Sequence, residues 1–448
     1  MQQPSRTGRA AFINELIALG APPSVPDMPP ARVGLIGDPT NADAALAQAI
    51  ATADHSSQWV TPVAGAGWSD QISDLQDCSL VIDLTADRHP QKPAIFAALD
   101  KLAAAGCAIG SPCISQSATA AFASLAHRQR WVGLSLSVPW ESRQLFEVMA
   151  HNHTAPDVIT QVTGFAHGLG QPVLQVADRA GGLSWRIQCA YLFEAMALLG
   201  EAISADRIES TALELGMRAG PFAELDRVSL KLIDHILHAE LHELAHRASK
   251  HDSHDHEHHG HEQHSHESHD ADDHHQAHPH DHGHGHDGHS HDHQEHTHAH
   301  GVKSELMPES AVYVMEKMAH GFNRLGREAG AGFYDYDYED DPPELWEGLS
   351  AFARGSHKAD PGDCADRLLM APTIQMLHGI SKNPNVNATQ ASLAAVLGAG
   401  FSAQYGGPLG WIQSIGIDQF VSRAAALAAT YGDQFLLPDN VGDLLKPG

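Results

Sequence analysis

The run Ala31-Arg-Val-Gly-Leu-Ile-Gly37 decides the class of fold. It is short and apolar and it closes on glycine, as a buried strand does; an alanine-rich helical stretch follows to Ala53. The alternation then repeats. Gln58-Trp-Val-Thr-Pro-Val63 reads as a strand, and Leu80-Val-Ile-Asp-Leu84 as a buried strand with 92–105 as its helix. Cys107-Ala-Ile-Gly110 reads as a strand, 116–130 as a helix and Trp131-Val-Gly-Leu-Ser-Leu136 as a strand. Strands alternating with helices predict an α/β domain with a parallel, doubly wound sheet to about residue 180.

From Ser184 onward the pattern is almost wholly helical, and it looks duplicated. Gly216-Met-Arg-Ala-Gly-Pro221 is followed at seven residues by Val228, and Gly400-Phe-Ser-Ala-Gln-Tyr-Gly-Gly-Pro408 at seven by Ile415. Two amphipathic helices precede each corner: 188–201 and 205–215 in one copy, 364–381 and 387–397 in the other. Two such units predict an internal pseudo-dimer. The expected division is a tail over 1–30, an α/β domain over 31–183, a first helical unit over 184–345 and a second over 346–448. The tail ends in the linker-like Pro22-Pro-Ser-Val-Pro-Asp-Met-Pro-Pro30.

A length of 448 residues suits two or three domains, and 42% hydrophobic with 18% charged residues is globular composition. No apolar run approaches the roughly 18 residues of a membrane span. The first 21 residues carry Arg6 and Arg9 without a long apolar core, so no secretory leader is expected. The five cysteines are scattered without a CxxC pair, which points to a reducing, cytoplasmic setting and no thiolate metal site. Lys+Arg 27 minus Asp+Glu 55 gives a net charge of −28, which excludes a nucleic-acid partner near pH 7.

Residues 251–300 hold 22 of the 35 histidines, 12 Asp or Glu, no Lys or Arg, and alanine as the one apolar type. Such a segment cannot bury enough surface to offset its ordering entropy, so disorder is expected there. It interrupts a helical pattern ending near Leu244 and another over 307–318. Imidazole is a common ligand for Ni and Zn; His280, His282, His284 and His286 recur two apart on this stretch, as do His291 and His293. Two readings stand: a tolerated surface insertion, or a metal-buffering tract.

Several motifs together resemble the 3-hydroxyacyl-CoA dehydrogenases, above all the dehydrogenase half of the bacterial multifunctional β-oxidation subunit. Arg324-Leu-Gly-Arg-Glu-Ala-Gly-Ala-Gly-Phe-Tyr-Asp-Tyr336 resembles the family's Arg-x-Gly-x-Lys-x-Gly-x-Gly-Phe-Tyr-x-Tyr turn. Gly398-Ala-Gly-Phe401 with Gly406-Gly-Pro408 is similar to its second helical unit, and Gly216 with Gly220-Pro221 to its first. Val132-Gly-Leu-Ser-Leu-Ser-Val-Pro139, then Glu147, stands where the family has Gly-x-His-Phe-x-Asn-Pro and its glutamate. The resemblance implies a Rossmann-like N-terminal domain and a C-terminal region of two helical units.

It also implies a chemistry, much of which is missing. The family reaction needs a histidine to move a proton near neutral pH and a glutamate to orient it. The histidine position is Ser135, whose hydroxyl has no pKa near 7; Glu147 matches the glutamate, although taken alone it reads equally as partner to a nearby arginine. The family asparagine aligns with Trp185, which is expected to fill space rather than hold an oxygen. Ser111 matches the start of a Ser-Asn-Thr-Ser run whose asparagine is Pro112. The NAD turn Gly-x-Gly-x-x-Gly is Gly37-Asp-Pro-Thr-Asn-Ala42, keeping Gly37 and, as a substitute glycine, Ala42. Pro39 has no N–H for a phosphate, and Asp38 sets a negative charge beside one. Lys92 fits the family's lysine beside the nicotinamide and CoA groove; it reads as well as a helix-start lysine on a solvated face. Three functions follow as alternatives: a degenerate acyl-CoA-binding or scaffolding subunit beside β-oxidation enzymes, an active NAD-dependent dehydrogenase with a rearranged site, and a metal-handling protein.

Overall fold

The protein is described from a computed structural model over residues 32–37, 50–51, 53, 55–60, 72–85, 91–136, 145–238, 304, 307–336, 343–354 and 358–445. Its main sheet has seven strands: β1 (Arg32–Ile36), β2 (Ser56–Val60), β3 (Leu80–Asp83), β4 (Ala108–Pro112), β5 (Trp131–Leu136), β6 (Phe146–Met149) and β7 (Val173–Val176). They lie in the order β2-β1-β3-β4-β5-β6-β7, every pair parallel except β5 with β6. Leu35, Ile82, Val132, Leu134, Phe146 and Val148 lie in one buried core, which is why these strands read as continuous apolar runs. α3 (Pro156–Gly168) closes part of this core through Val162 and Phe165.

The parallel sheet is as expected; two local readings are not. The helix expected over 92–105 ends earlier, as α1 (Lys92–Leu102). The stretch 116–130 forms only the one-turn α2 (Ala118–Ala121), then turns and a 3-10 turn at Arg128–Arg130. Its alanines favour helix, but the Asp100 carboxylate accepts the N–H groups of Ala126 and His127 at 3.0 and 3.2 Å. The Arg130 guanidinium donates to the carbonyls of Ala103 and Ala104 at 2.7 and 2.9 Å. The Asp100 bonds compete with the helical ladder of 116–130, and the Arg130 bonds hold the chain just past the end of α1. β6 turns back against β5; its apolar run Leu145-Phe-Glu-Val-Met149 is not among the strands read from the sequence.

The helical half runs α4 (Ser184–Gly200), α5 (Ala205–Glu214), α6 (Pro221–Val228) and α7 (Glu309–Glu316), then a small pairing of β8 (Tyr334–Asp335) with β9 (Glu344–Leu345). It continues as α8 (Cys364–Ser381), α9 (Ala388–Leu393), α10 (Gly407–Ile415) and α11 (Ile417–Tyr431). The set α4-α5-α6 recurs as α8-α9-α10, with one wider turn over Ala394–Gly398 extending α9. The corners agree in local geometry. Gly216 and Gly400 have φ of 76° and 78°, and a proline stands in the first turn of both α6 and α10. Eight residues beyond each proline the chain turns at Ser229 (φ 79°, ψ 124°) and Gly416 (φ 91°, ψ 139°). The corners also meet: the Arg218 N–H donates to Gly400 O at 3.0 Å, and the Gln404 amide donates to Leu215 O.

α4 packs against α8, and a buried charge cluster ties them. Arg367 is fully buried, donates to Glu194, and donates to Glu201 at 2.6 Å. The Arg324 to Tyr336 turn is likewise organised by one buried carboxylate. Asp226 accepts the N–H of Phe333 at 2.7 Å, that of Tyr334 at 2.8 Å and the Tyr336 hydroxyl at 3.0 Å. A Cβ on Gly332 would collide with that carboxylate, so the glycine permits the close approach. All five cysteines are buried and none forms a disulfide. Among the described residues no helix is long and apolar enough to cross a membrane.

Candidate functional site

The carboxyl ends of β3 to β5 and the start of α4 bring the sequence-derived residues into two groups. Ser135 on β5 pairs in register with Glu147 on β6, so both side chains project from the same face. Ser135 is half-buried and Glu147 has no exposure at all. Glu147 Oε1 accepts the Ser184 N–H at 2.9 Å, a free amide of the first turn of α4. Burial pushes the Glu147 carboxyl up to about 7; the Ser184, Leu183 and Ser135 groups pull it the other way without offsetting desolvation. None of these groups is an imidazole or an arginine, so the reading of Glu147 as an arginine's partner is corrected: its bond comes from a helix N-terminus. Its second oxygen, Oε2, is buried and accepts no well-formed hydrogen bond.

Gly181 and Gly182 form the turn into α4, with φ of 76° and 64°, and the Gly181 N–H donates to Cys113 O at 2.8 Å. A Cβ on Gly182 would stand 2.7 Å from Glu147 Oε2, and one on Gly181 would strike the Trp185 ring. Trp185 therefore lies beside the site, half-buried, with its indole Nε1 buried and unpartnered. It was expected only to fill space; it also presents a donor.

The second group is a buried ionic cluster. Asp83, with no exposure, accepts the Ser111 hydroxyl at 2.8 Å, the Thr85 N–H at 2.9 Å and the Thr85 hydroxyl at 2.5 Å. Lys92 Nζ stands 3.2 Å from Asp83 Oδ2 and donates to Thr85 O at 3.2 Å. Lys92 is 7% exposed, which corrects its reading as a lysine on a solvated face. The lysine begins α1 but its ammonium turns inward because Asp83 is there to receive it. Gly37 follows β1 and gives its N–H to Val60 O at 3.1 Å. Ala42, Asp38, Pro39 and all of 251–300, with His280, His282, His284, His286, His291 and His293, lie outside the described residues. Among the described residues no group of three or more His, Cys, Asp or Glu could hold a metal ion.

Sequence reasoning singled out Ser111, Ser135, Glu147 and Trp185 but missed Ser184, Thr85 and the Gly181–Gly182 pair. Two glycines directly before a helical run were a usable signal for a close backbone approach.

A doubly wound, mostly parallel sheet is followed by a helical half in which the helix order recurs. Residues 40–179 match the NAD binding domain of 3-hydroxyacyl-CoA dehydrogenase, and residues 183–265 its C-terminal domain. The chain belongs to the 3-hydroxyacyl-CoA dehydrogenase family, whose cofactor is NAD. A fatty acid oxidation complex subunit alpha from Shewanella loihica is 24% identical over 326 residues, covering 71% of this chain and 36% of that protein. The same subunit from Shewanella sp. strain MR-4 is 24% identical over 317 residues, covering 68% and 35%. The chain thus spans about a third of the length of these curated relatives. A solved 3-hydroxybutyryl-CoA dehydrogenase from Escherichia coli K12 superposes with a TM-score of 0.63 at 15% identity, covering 93% of this chain and 98% of that one. The dehydrogenase part of a multifunctional enzyme from C. elegans gives 0.57 at 14% identity, covering 99% and 97%. At such identities these two likenesses establish the fold.

Proposed function

We propose that this chain is a cytoplasmic member of fatty-acid metabolism that has lost hydride transfer and acts as an acyl-CoA-binding or scaffolding subunit beside β-oxidation enzymes. The observation that carries this reading is Ser135 set directly opposite Glu147. A hydroxyl there cannot accept the proton that oxidation of a 3-hydroxyl releases, and the buried carboxyl has no imidazole to orient. The residues present also fit NAD poorly. The Gly37 N–H is spent on Val60 O, and the Lys92 ammonium and Ser111 hydroxyl both go to Asp83. In the sequence that follows, Asp38 brings a negative charge and Pro39 has no N–H to offer a pyrophosphate. The proposed domains are 31–183, 184–345 and 346–448, the sheet binding the acyl-CoA against the first helical unit. The histidines of 251–300 add binding of Ni or Zn, supported by their number alone.

Calorimetric titration of the intact chain with NADH and with acetoacetyl-CoA tests the reading. NADH is expected to bind more weakly than about 1 mM, and acetoacetyl-CoA to give a measurable isotherm. Reduction of NAD by 3-hydroxybutyryl-CoA, with contaminating enzyme excluded, would return the chain to the active dehydrogenases.

A further inference from the structure

Four aromatic rings form one connected row on the helical half. Tyr313 of α7 and Phe322, just beyond it, both meet Phe352, at centroid distances of 6.0 and 6.2 Å and an interplanar angle of 83° in each pair. Phe322 also meets Trp346 at 4.9 Å and 68°, and the Arg324 guanidinium lies over the Trp346 ring at 4.4 Å. Phe352 is the buried member, whereas Tyr313 and Phe322 are 46% and 44% exposed. Rings set near right angles cannot lie in one plane, so the exposed pair stand as ridges around the buried ring. Apolar surface gathered in this way marks a place where something docks.

Exposed aromatic ridges are the lining that proline-rich segments dock against, because a polyproline II stretch is ordered before it binds and loses little entropy in binding. The chain itself carries such a sequence. Pro22-Pro-Ser-Val-Pro-Asp-Met-Pro-Pro30, outside the described residues, sets Pro23, Pro26 and Pro29 three apart. At about three residues per turn and about 3.1 Å per residue, that spacing puts the three pyrrolidine rings on one face, about 9 Å apart. Asp27, the one charged residue of the stretch, is complementary to Lys317 and Arg324, which stand on either side of Phe322 in the chain.

We propose that the face formed by Tyr313, Phe322 and Trp346 docks the Pro22–Pro30 stretch of a second copy of this chain. The tether points to a second copy. Pro29 is three residues from Arg32, about 10 Å at full extension. Arg32 opens β1; its side chain donates to Gln58 at 3.3 Å and pairs with Asp77 at 3.8 Å, and its carbonyl accepts the Ser79 N–H at 3.0 Å. These partners all belong to the α/β half, so the stretch leaves from there, while the aromatic face stands on the helical half. Each copy then offers one stretch and one face, and reciprocal exchange closes a dimer.

Two measurements test this. The first is fluorescence anisotropy with a labelled peptide of residues 20–31. Its receptor is the full chain carrying Pro23→Ala, Pro26→Ala and Pro29→Ala, which silences the chain's own stretch. Saturable binding is expected. Phe322→Ser or Tyr313→Ser in the receptor, or alanine at the three prolines of the peptide, should each weaken it about tenfold. Thermal melts establish that the variants fold. The second is sedimentation velocity across a concentration series. Wild type should self-associate, and the triple-proline chain and the Phe322→Ser chain should each do so about tenfold more weakly. An equimolar mixture of those two should associate more tightly than either alone, because one supplies the intact face and the other the intact stretch. If the peptide does not bind, or binds the Phe322→Ser and Tyr313→Ser receptors as tightly, the docking face is refuted. If the peptide binds but wild type stays monomeric, the stretch is held by its own chain and the second copy is overturned. If both variants associate as tightly as wild type, association uses another surface and the proposal falls.

Discussion

Glu147→Gln offers a measurement of how the fold treats its one candidate catalytic carboxyl. Glu147 is fully buried and its pKa rises from the ordinary 4.5 to about 7. The folded protein therefore holds this proton over a range in which the unfolded chain has released it. Stability from this group is fully present below pH 4.5 and is lost as pH rises through 7. A shift of that size corresponds to about 3 kcal/mol in total, of which about 2–3 kcal/mol falls between pH 5 and pH 8. Glutamine is neutral throughout and nearly isosteric. Its carbonyl can keep the Ser184 N–H bond, and its amide takes the place of Oε2, which has no partner to lose. Urea unfolding of wild type and variant at pH 5 and pH 8 isolates the term, because the chain's other carboxylates and histidines cancel in the difference. Wild type minus variant should become less favourable by about 2–3 kcal/mol from pH 5 to pH 8, with unchanged m-values. A pH-independent difference, or one of opposite sign, would refute the account of Glu147 as a carboxyl held protonated by burial.

Arg367→Met is expected to destabilise the helical half by about 3–5 kcal/mol in urea unfolding, because Glu194 and Glu201 would stay buried without their cation. Ala202, held at φ 73° just past α4, should gain about 1 kcal/mol as glycine; an unchanged melting midpoint would argue against strain there. Gly332→Ala should lose about 3 kcal/mol as its Cβ meets the Asp226 carboxylate, whereas Gly442→Ala, with nothing within 4 Å, should be near neutral. Ser135→His should bring an imidazole opposite Glu147 yet yield no NAD reduction in a spectrophotometric assay; turnover from that single change would contradict the reading of the cofactor turn. Chelator-treated protein should bind several equivalents of Ni or Zn at pH 7.5, falling off below pH 6 as imidazoles protonate; less than one equivalent would end the metal reading.

What could be read in the sequence was local. α8 was placed residue for residue because its apolar spacing runs unbroken between Asp363 and Lys382. The Gly-Pro corners were legible because proline in a first turn and glycine at positive φ are requirements of single residues. The misread features depend on groups far apart in the chain. Lys92 is drawn inward by Asp83, itself bonded to Ser111 twenty-eight residues on. Glu147 takes its partner from Ser184, thirty-seven residues away. The helix over 116–130 fails because the Asp100 carboxylate takes the N–H groups of Ala126 and His127, which alanine content cannot reveal. At the site itself, sequence pattern named Ser135, Glu147 and Trp185, but burial of Glu147 and the unpartnered indole N–H belong to packing.

The separation of fold from chemistry has a physical basis in where the two sets of residues stand. The Arg324 to Tyr336 turn closes around Asp226 through two backbone N–H groups and a hydroxyl, with Gly332 at a spacing no larger residue can adopt. Altering any of these leaves a buried carboxylate short of partners, which is costly whatever the protein does. Ser135 and Trp185 stand at a strand end and at the first turn of a helix, each half-buried, where a side chain can change without opening the core. A histidine and an asparagine could be exchanged there at little expense in stability. The turn that receives them, Gly181–Gly182, would still hold its shape through the Gly181 N–H bond to Cys113. Loss of proton transfer is thus compatible with an intact fold, and the binding without turnover proposed above is a function that such a fold can retain.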